Sequence, residues 1–134
     1  MTSLIEKARC WHGVFPAMTT QFRADFSVDH ETTLRHVMQI VDAGVHGIVM
    51  MGTIGENNSL QPEERRELLR ATTKAVAGRV PVLTGVSELT TAAACRYAAD
   101  AALLGADGIM LMPAMAYRAD SREALAHYRA VAQA

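Results

Sequence analysis

Gly52-Thr53-Ile54-Gly55-Glu56-Asn57 is the stretch of this 134-residue chain whose residue types and spacing could do chemistry. It directly follows the apolar run Gly47-Ile48-Val49-Met50-Met51, and a turn and a long helical pattern come after it. A buried strand that ends in Gly-Thr-x-Gly presents backbone N–H groups and a hydroxyl at its carboxyl end. In α/β proteins that is where small anions and carbonyl substrates bind. Two glycines allow close backbone approach, so a carboxylate could sit against the loop at little steric cost. The same spacing also describes a plain tight turn between strand and helix, since short glycine motifs often arise by chance. On spacing alone both readings stand.

Other reactive groups are sparse. The five histidines (His12, His30, His36, His46 and His127) make no HxxxH pair and no His–carboxylate cluster at one predicted strand end. Each reads as a surface or capping residue, and neither a metal centre nor a cofactor is expected. Cys10 and Cys95 are scattered, with no CxxC spacing, and Cys95 amid alanines reads as a packed helix residue. Arg118 and Arg122 could meet a substrate carboxylate, but arginines near a helix start are commonly solvated.

The loop needs elements to hold it, and the chain alternates short apolar runs with longer amphipathic ones. Residues 14–19 read as a first strand, weakened by Pro16. Asp29 through Ala43 reads as a helix capped by Asp29, with Glu31 in its first turn and a stripe of Leu34, Val37, Met38 and Val41. Gly44 stops it, and the strand 47–51 follows. A second helix starts around Gln61-Pro62-Glu63-Glu64, with Leu68, Leu69, Thr72 and Val76 on its inner face. Residues 80–86 form a third strand, and a third helix capped by Thr90 or Thr91 runs to Leu104. Strand 108–112 and a helix beginning at Asp120 or Ser121 complete the pattern.

An internal repeat supports this division. Ala43-Gly44-Val45-His46-Gly47-Ile48-Val49-Met50-Met51 aligns with Leu104-Gly105-Ala106-Asp107-Gly108-Ile109-Met110-Leu111-Met112. Each copy is a helix-stopping glycine, a short turn, a second glycine and a fully apolar strand. Strands apolar on both faces belong to a parallel sheet covered by helices. The predicted class is therefore α/β, with about four of the eight βα units of a TIM barrel. A small doubly wound sheet is the alternative, and strand order decides between them.

Composition bounds the rest. The chain is 50% hydrophobic and 20% charged, with a formal net charge of -1. Without an excess of positive charge, nucleic acid is not an expected partner. No apolar run reaches the roughly 18 residues of a membrane span, and the N-terminus has no signal-peptide core, so a cytoplasmic location is expected. No linker divides the chain: residues 1–11 read as a peripheral lead-in and 12–134 as the four βα units.

In this order and spacing, the motifs resemble the dihydrodipicolinate synthase and N-acetylneuraminate lyase family of class I pyruvate-handling barrels. The resemblance covers about residues 12–134. It rests on Gly13-Val14-Phe15-Pro16-Ala17-Met18-Thr19, on Ala43-Gly44-Val45-His46-Gly47 leading into Gly52-Thr53-Ile54-Gly55-Glu56, and on Leu60-Gln61-Pro62-Glu63-Glu64-Arg65. Arg79-Val80-Pro81-Val82-Leu83-Thr84-Gly85-Val86, and Gly105-Ala106-Asp107-Gly108 before Met112-Pro113, extend it.

The resemblance implies a small 2-oxo acid substrate such as pyruvate, and a homo-oligomer. It makes Gly52, Thr53, Ile54 and Gly55 substrate-binding positions, with Thr53 as the relay hydroxyl. Ile54 stands where the family usually has a second threonine, so its N–H remains and the hydroxyl is lost. Glu56 reads as a structural acceptor for loop N–H groups. The family often places Pro-Tyr-Tyr after strand four, whereas here Pro113 precedes Ala114, Met115 and Ala116 before Tyr117. One tyrosine of that family motif reaches a neighbouring subunit's relay, and Tyr117 is then either an approximate replacement for it or an exposed loop aromatic. These departures point toward another 2-oxo acid or hydroxylated pyrroline acid rather than plain dihydrodipicolinate synthesis.

The family's Schiff-base lysine and its relay tyrosine come from later strands. Such an amine must sit desolvated on a barrel strand with a lowered pKa. This chain has two lysines, Lys7 in the lead-in and Lys74 near the end of the second helix, and neither fits. The expectation is the N-terminal half of a Schiff-base lyase, inactive alone. The alternative is a half-barrel binding module that dimerises into a pseudo-barrel without catalysis.

Overall fold

Asp29 begins the first helix because its carboxylate accepts the Thr32 N–H at 3.0 Å, satisfying one of the donors that every helix start leaves free. Helix α1 spans His30–Asp42 and ends at Gly44, whose φ of +90° only glycine adopts without strain. This computed structural model describes residues 11–113 and 117–134. Strand β1 (Ile48–Met50) leads into the glycine loop, a 3-10 turn at Asn57–Ser59 and helix α2 (Pro62–Val76). Pro62 opens α2, and the Glu64 carboxylate reaches back to accept the Gln61 N–H at 2.8 Å. Strand β2 (Val82–Val86), helix α3 (Thr91–Leu103), strand β3 (Gly108–Leu111) and helix α4 (Ser121–Ala132) follow. Thr90 caps α3, and Asp120 caps α4 with Glu123 completing a capping box.

The sheet runs β1-β2-β3, parallel throughout, with Ile48 opposite Val82 and Leu83 opposite Gly108. The expected first strand is reduced to a single parallel bridge, Ala17 to Val49. Pro16 contributes its carbonyl, which accepts from Val49 N–H at 3.0 Å, while Met18 N–H donates to Val49 O at 2.9 Å. Proline has no N–H to extend that ladder, which accounts for the shortened pairing. The strands therefore lie side by side in chain order, as in a barrel wall. A doubly wound sheet would reverse direction partway.

Helices α1 and α2 bury Val37, Val41, Leu68, Leu69 and Val76 against Ile48, Met50 and Val82. A fully buried Leu or Val contributes about 1.5–3 kcal/mol. A second cluster joins Val86 to Ala94, Tyr97, Ala98 and Val131, with Cys95, Ile109 and Leu111 packed against it. The second glycine of each repeat copy makes room for an aromatic ring: Phe15 lies where a Gly47 side chain would be, and Trp11 where a Gly108 side chain would be.

Candidate active-site loop at the carboxyl end of the strands

The peptide after β1 turns sharply. Met51 and Glu56 adopt left-handed φ of 49° and 57°, a conformation that costs non-glycine residues some strain. Asn57 N–H donates to Gly52 O at 3.3 Å and Glu56 N–H to Thr53 O at 3.1 Å, closing the turn on itself. Gly55 is buried, and a Cβ there would collide with Met18 O and with Met51 backbone. Gly85 of β2 is similarly confined, because its Cβ would strike Met51 O. Glycine is required at both positions by close backbone approach, with no positive φ involved.

The loop is pinned at two places. Thr20 Oγ1 donates to Gly55 O at 2.7 Å in a buried hydrogen bond. Asn57 is only 2% exposed; its Nδ2 donates to Gly85 O at 3.0 Å and its Oδ1 accepts from Arg65 Nη1 at 3.2 Å. Arg65 is itself ion-paired with Glu88 and lies over the Tyr97 ring, 4.8 Å from its centroid. Tyr97 and Thr84 share a hydrogen bond of 3.2 Å, and burial pushes the Tyr97 phenol pKa up. Arg65 Nε and Thr72 Oγ1 are buried with no partner among the described residues.

Between these anchors the loop keeps its donors free. The N–H groups of Thr53, Ile54 and Gly55, and the Thr53 hydroxyl, donate to nothing among the described residues. Three successive free backbone N–H groups and a hydroxyl are the inventory that holds a carboxylate or a developing oxyanion. Gly52 and Thr53 also line a small cleft of about 10 Å³ with Asn57, Ser87, Met110 and Met112, room for about one water. Ile54 is 63% exposed, with its side chain directed away from the core.

The other predicted positions are placed differently. Tyr117 is 59% exposed and does not line that cleft, while Ala114, Met115 and Ala116 lie outside the described residues. The Glu56 carboxylate accepts no hydrogen bond among the described residues, so the expected acceptor role falls to backbone: Glu56 O receives Ser59 N–H at 2.9 Å. The Glu56 side chain is exposed. Arg118 and Arg122 are exposed, and Arg122 reaches only Asp120 at 3.5 Å. Lys74 is exposed on α2, and Lys7 and Cys10 lie outside the described residues.

Among the histidines, His46 is exposed and its Nδ1 accepts from Val14 N–H at 3.1 Å. Of the surface or capping roles expected for the histidines, His127 does not take the surface one. It is buried, 2.9 Å from Thr91 Oγ1 and 3.3 Å from Met112 O, fixing the end of β3 to α3 and α4. Among the described residues no three His, Cys, Asp or Glu side chains group as metal ligands, and no helix is long and apolar enough to cross a membrane.

The sequence marks the loop, Asn57 included, but assigns no role to Thr20, Asn57 or Arg65. The Asn57-to-Arg65 spacing of eight residues is a weak signal, because it becomes a contact only when the 3-10 turn folds Asn57 back over the start of α2.

The dihydrodipicolinate synthetase family model matches residues 11–134. An uncharacterized DapA-like lyase of Halobacterium salinarum is 43% identical over 123 residues, 92% of this chain and 40% of the relative. A 4-hydroxy-tetrahydrodipicolinate synthase of Moorella thermoacetica is 38% identical, over 92% of this chain and 42% of its own length. The crystal structure of a dihydrodipicolinate synthase from Bacillus clausii superposes with a TM-score of 0.87 at 30% identity, covering 95% of this chain and 43% of that one. A prophage protein of the same family from E. coli, crystallised with pyruvate, gives 0.88 at 28% identity, over 92% and 42%. The chain thus spans about two fifths of the length of these relatives.

Proposed function

The chain belongs to the dihydrodipicolinate synthetase family, and from that premise we propose that its 52–57 loop is the carboxylate-holding corner of a Schiff-base lyase site for pyruvate or a related 2-oxo acid. The observation that carries this reading is the run of free N–H groups at Thr53, Ile54 and Gly55 beside the Thr53 hydroxyl, at the carboxyl end of parallel strands. The family relationship makes the protein lyase-related and its fold part of a TIM barrel. Within our reading, residues 12–134 are its first four βα units, in a cytoplasmic homo-oligomer.

The roles divide by chemistry. Gly52 lets the substrate carboxylate approach the backbone, and Gly55 lets the loop fold against Met18 O and the Met51 backbone while offering its N–H. The N–H groups of Thr53 and Ile54 hold the carboxylate, and the Thr53 hydroxyl passes a proton. An amine must condense with the 2-oxo carbon, forming C=N and releasing water. A neutral, desolvated lysine does this, and exposed Lys74 at the basic end of α2 does not meet that requirement. The other lysine, Lys7, belongs by sequence to the lead-in, so in our reading the amine comes from outside these 134 residues, and the chain alone is a substrate cradle without its nucleophile. Tyr117 and the arginines near it take no part in this reading.

Titration of isotope-labelled protein with pyruvate, followed at individual amides, tests the cradle. Saturable shifts confined to Thr53, Ile54 and Gly55 at millimolar pyruvate are expected, corresponding to about -4 kcal/mol of binding. Uniform or absent shifts would overturn it. Borohydride trapping with pyruvate should leave the mass of the chain unchanged, and a covalent adduct would falsify the statement that the nucleophile lies elsewhere.

A second reading is favoured by one observation. Among the described strands β3 pairs only with β2, and Met110 on it is 37% exposed. An open parallel edge invites association, so a self-paired half-barrel without catalysis is the competing assignment. A monomeric mass in solution with cooperative unfolding would remove it.

A further inference from the structure

We propose that Asn57 is the positioning residue of the cradle, fixing its carboxyl-terminal end against β2 so that the Thr53–Gly55 N–H groups are held ready before a carboxylate arrives. The proposal rests on the carboxylate reading of the loop, and adds which side chain makes that loop a binding surface rather than a turn.

The argument begins with the loop's own bonds, which are few. Among the described residues, Glu56 N–H to Thr53 O and Asn57 N–H to Gly52 O alone close it from within, at 3.1 and 3.3 Å. Left to these, residues with free N–H groups would sample many conformations, and a carboxylate would have to order them on binding. Two side chains remove that freedom. Thr20 holds Gly55 O from the first-strand side at 2.7 Å, and Asn57 holds the other end.

Asn57 is suited to the task because its two ends do opposite things. Nδ2 donates to Gly85 O at 3.0 Å, and Oδ1 accepts from Arg65 Nη1 at 3.2 Å. Gly85 is the residue whose missing Cβ lets β2 lie against Met51 O, so this bond clamps the strand to both ends of the same loop. Aspartate has the same shape but no donor, and would place a carboxylate against Gly85 O. Alanine would leave a buried carbonyl and one guanidinium donor without their partner. Arg65 Nη1 also pairs with Glu88 in the parent protein, so the guanidinium has a second partner when the Asn57 contact is altered.

The test separates positioning from general stability. Asn57→Asp, Asn57→Ala and a core variant, Val37→Ala, would be compared in three measurements: thermal midpoint, amide order parameters at Thr53–Gly55, and pyruvate affinity from amide shifts. Val37 is fully buried on α1, remote from the loop in the chain. We expect Val37→Ala to lower the midpoint while leaving order parameters and affinity within about twofold of the parent. Both Asn57 variants should weaken pyruvate binding about tenfold. They should also drop the loop order parameters from about 0.85 toward 0.6.

If the Asn57 variants lose midpoint but keep affinity and loop order, Asn57 is merely structural and the proposal is overturned. If the parent protein shows no pyruvate response, the carboxylate reading fails instead. The order parameters then decide the positioning role by themselves: unchanged values in Asn57→Asp overturn it, and a fall confined to Thr53–Gly55 upholds it.

Discussion

The two copies of the internal repeat have almost the same sequence pattern and different fates. In the first copy β1 is buried along its whole length, Ile48 and Met50 completely. In the second copy β3 is half-buried at most positions and Met110 is 37% exposed. Hydrophobicity does not separate them, since both runs are apolar throughout. What separates them is neighbours. Val49 receives Ala17 on one side and Leu83 on the other, whereas Gly108–Leu111 pair only with β2 among the described strands. An apolar strand therefore signals that both faces and both edges are meant to be covered, and position in the sheet determines whether they are.

The largest expected effect exploits that difference directly. Ile48→Ala should destabilise by about 3 kcal/mol, because a cavity opens in the packed wall between β1 and the helices. Ile109→Ala in β3, half-buried against the second cluster, should cost about 1 kcal/mol. Chemical denaturation of both variants measures the contrast, and equal losses would break it.

A smaller contrast is expected at the second glycine of each copy. Gly47→Ala drives a methyl into the Phe15 ring beside a fully buried strand, and should cost about 2 kcal/mol. Gly108→Ala meets Trp11 next to the half-buried strand, where the ring has more room to move, and about 1 kcal/mol is expected. Denaturant midpoints with unchanged slopes would confirm that only stability has moved.

The first glycine of each copy should show no contrast. Gly44 and Gly105 hold φ of +90° and +86°, and a Cβ on Gly44 would touch nothing. Alanine at either position should cost about 1 kcal/mol through backbone strain alone. A difference much above that between the two sites would mean that burial reaches the helix ends as well.

The smallest effect is on pH. Asp29 caps the helix leading into the first copy and Asp120 the helix following the second; both carboxyls lie below their ordinary 3.8, chiefly through backbone N–H bonds from Thr32 and Glu123. Because the folded values are depressed, this stabilisation is full above the unfolded value and fades as pH falls through the folded one. Midpoints measured from pH 5 down to pH 2 should therefore drop below about pH 4. Asn at either cap should flatten the drop slightly, and by similar amounts.

Much of this architecture was legible beforehand. Helix 29–43 emerged as His30–Asp42 and strand 80–86 as Val82–Val86, because caps, proline and apolar runs are local signals. Leu68, Leu69, Thr72 and Val76 all proved buried, as their spacing on one helical face requires. The first strand fared worse, since Pro16 weakens a ladder by an amount that depends on which partner carbonyls and N–H groups it meets. For His127 the expectation of a surface or capping role left its burial open, because that burial comes from Thr91 and the end of β3, 36 and 15 residues away.

The candidate site divides along the same line. Residue order alone marked the 52–57 loop, because glycine spacing after an apolar run is written in consecutive letters. It also shaped the proposed chemistry, since an inventory of lysines needs no structure. Which groups hold that loop was decided by tertiary contacts: Thr20 to Gly55 O, Asn57 to Gly85 O and Arg65 to Asn57 span 35, 28 and 8 residues. Those side chains have no local periodicity to betray them. Two of their partners are backbone carbonyls that any residue type could offer, and the third is the Asn57 side-chain amide, so only the folded sheet, laid down in chain order, brings donor and acceptor together.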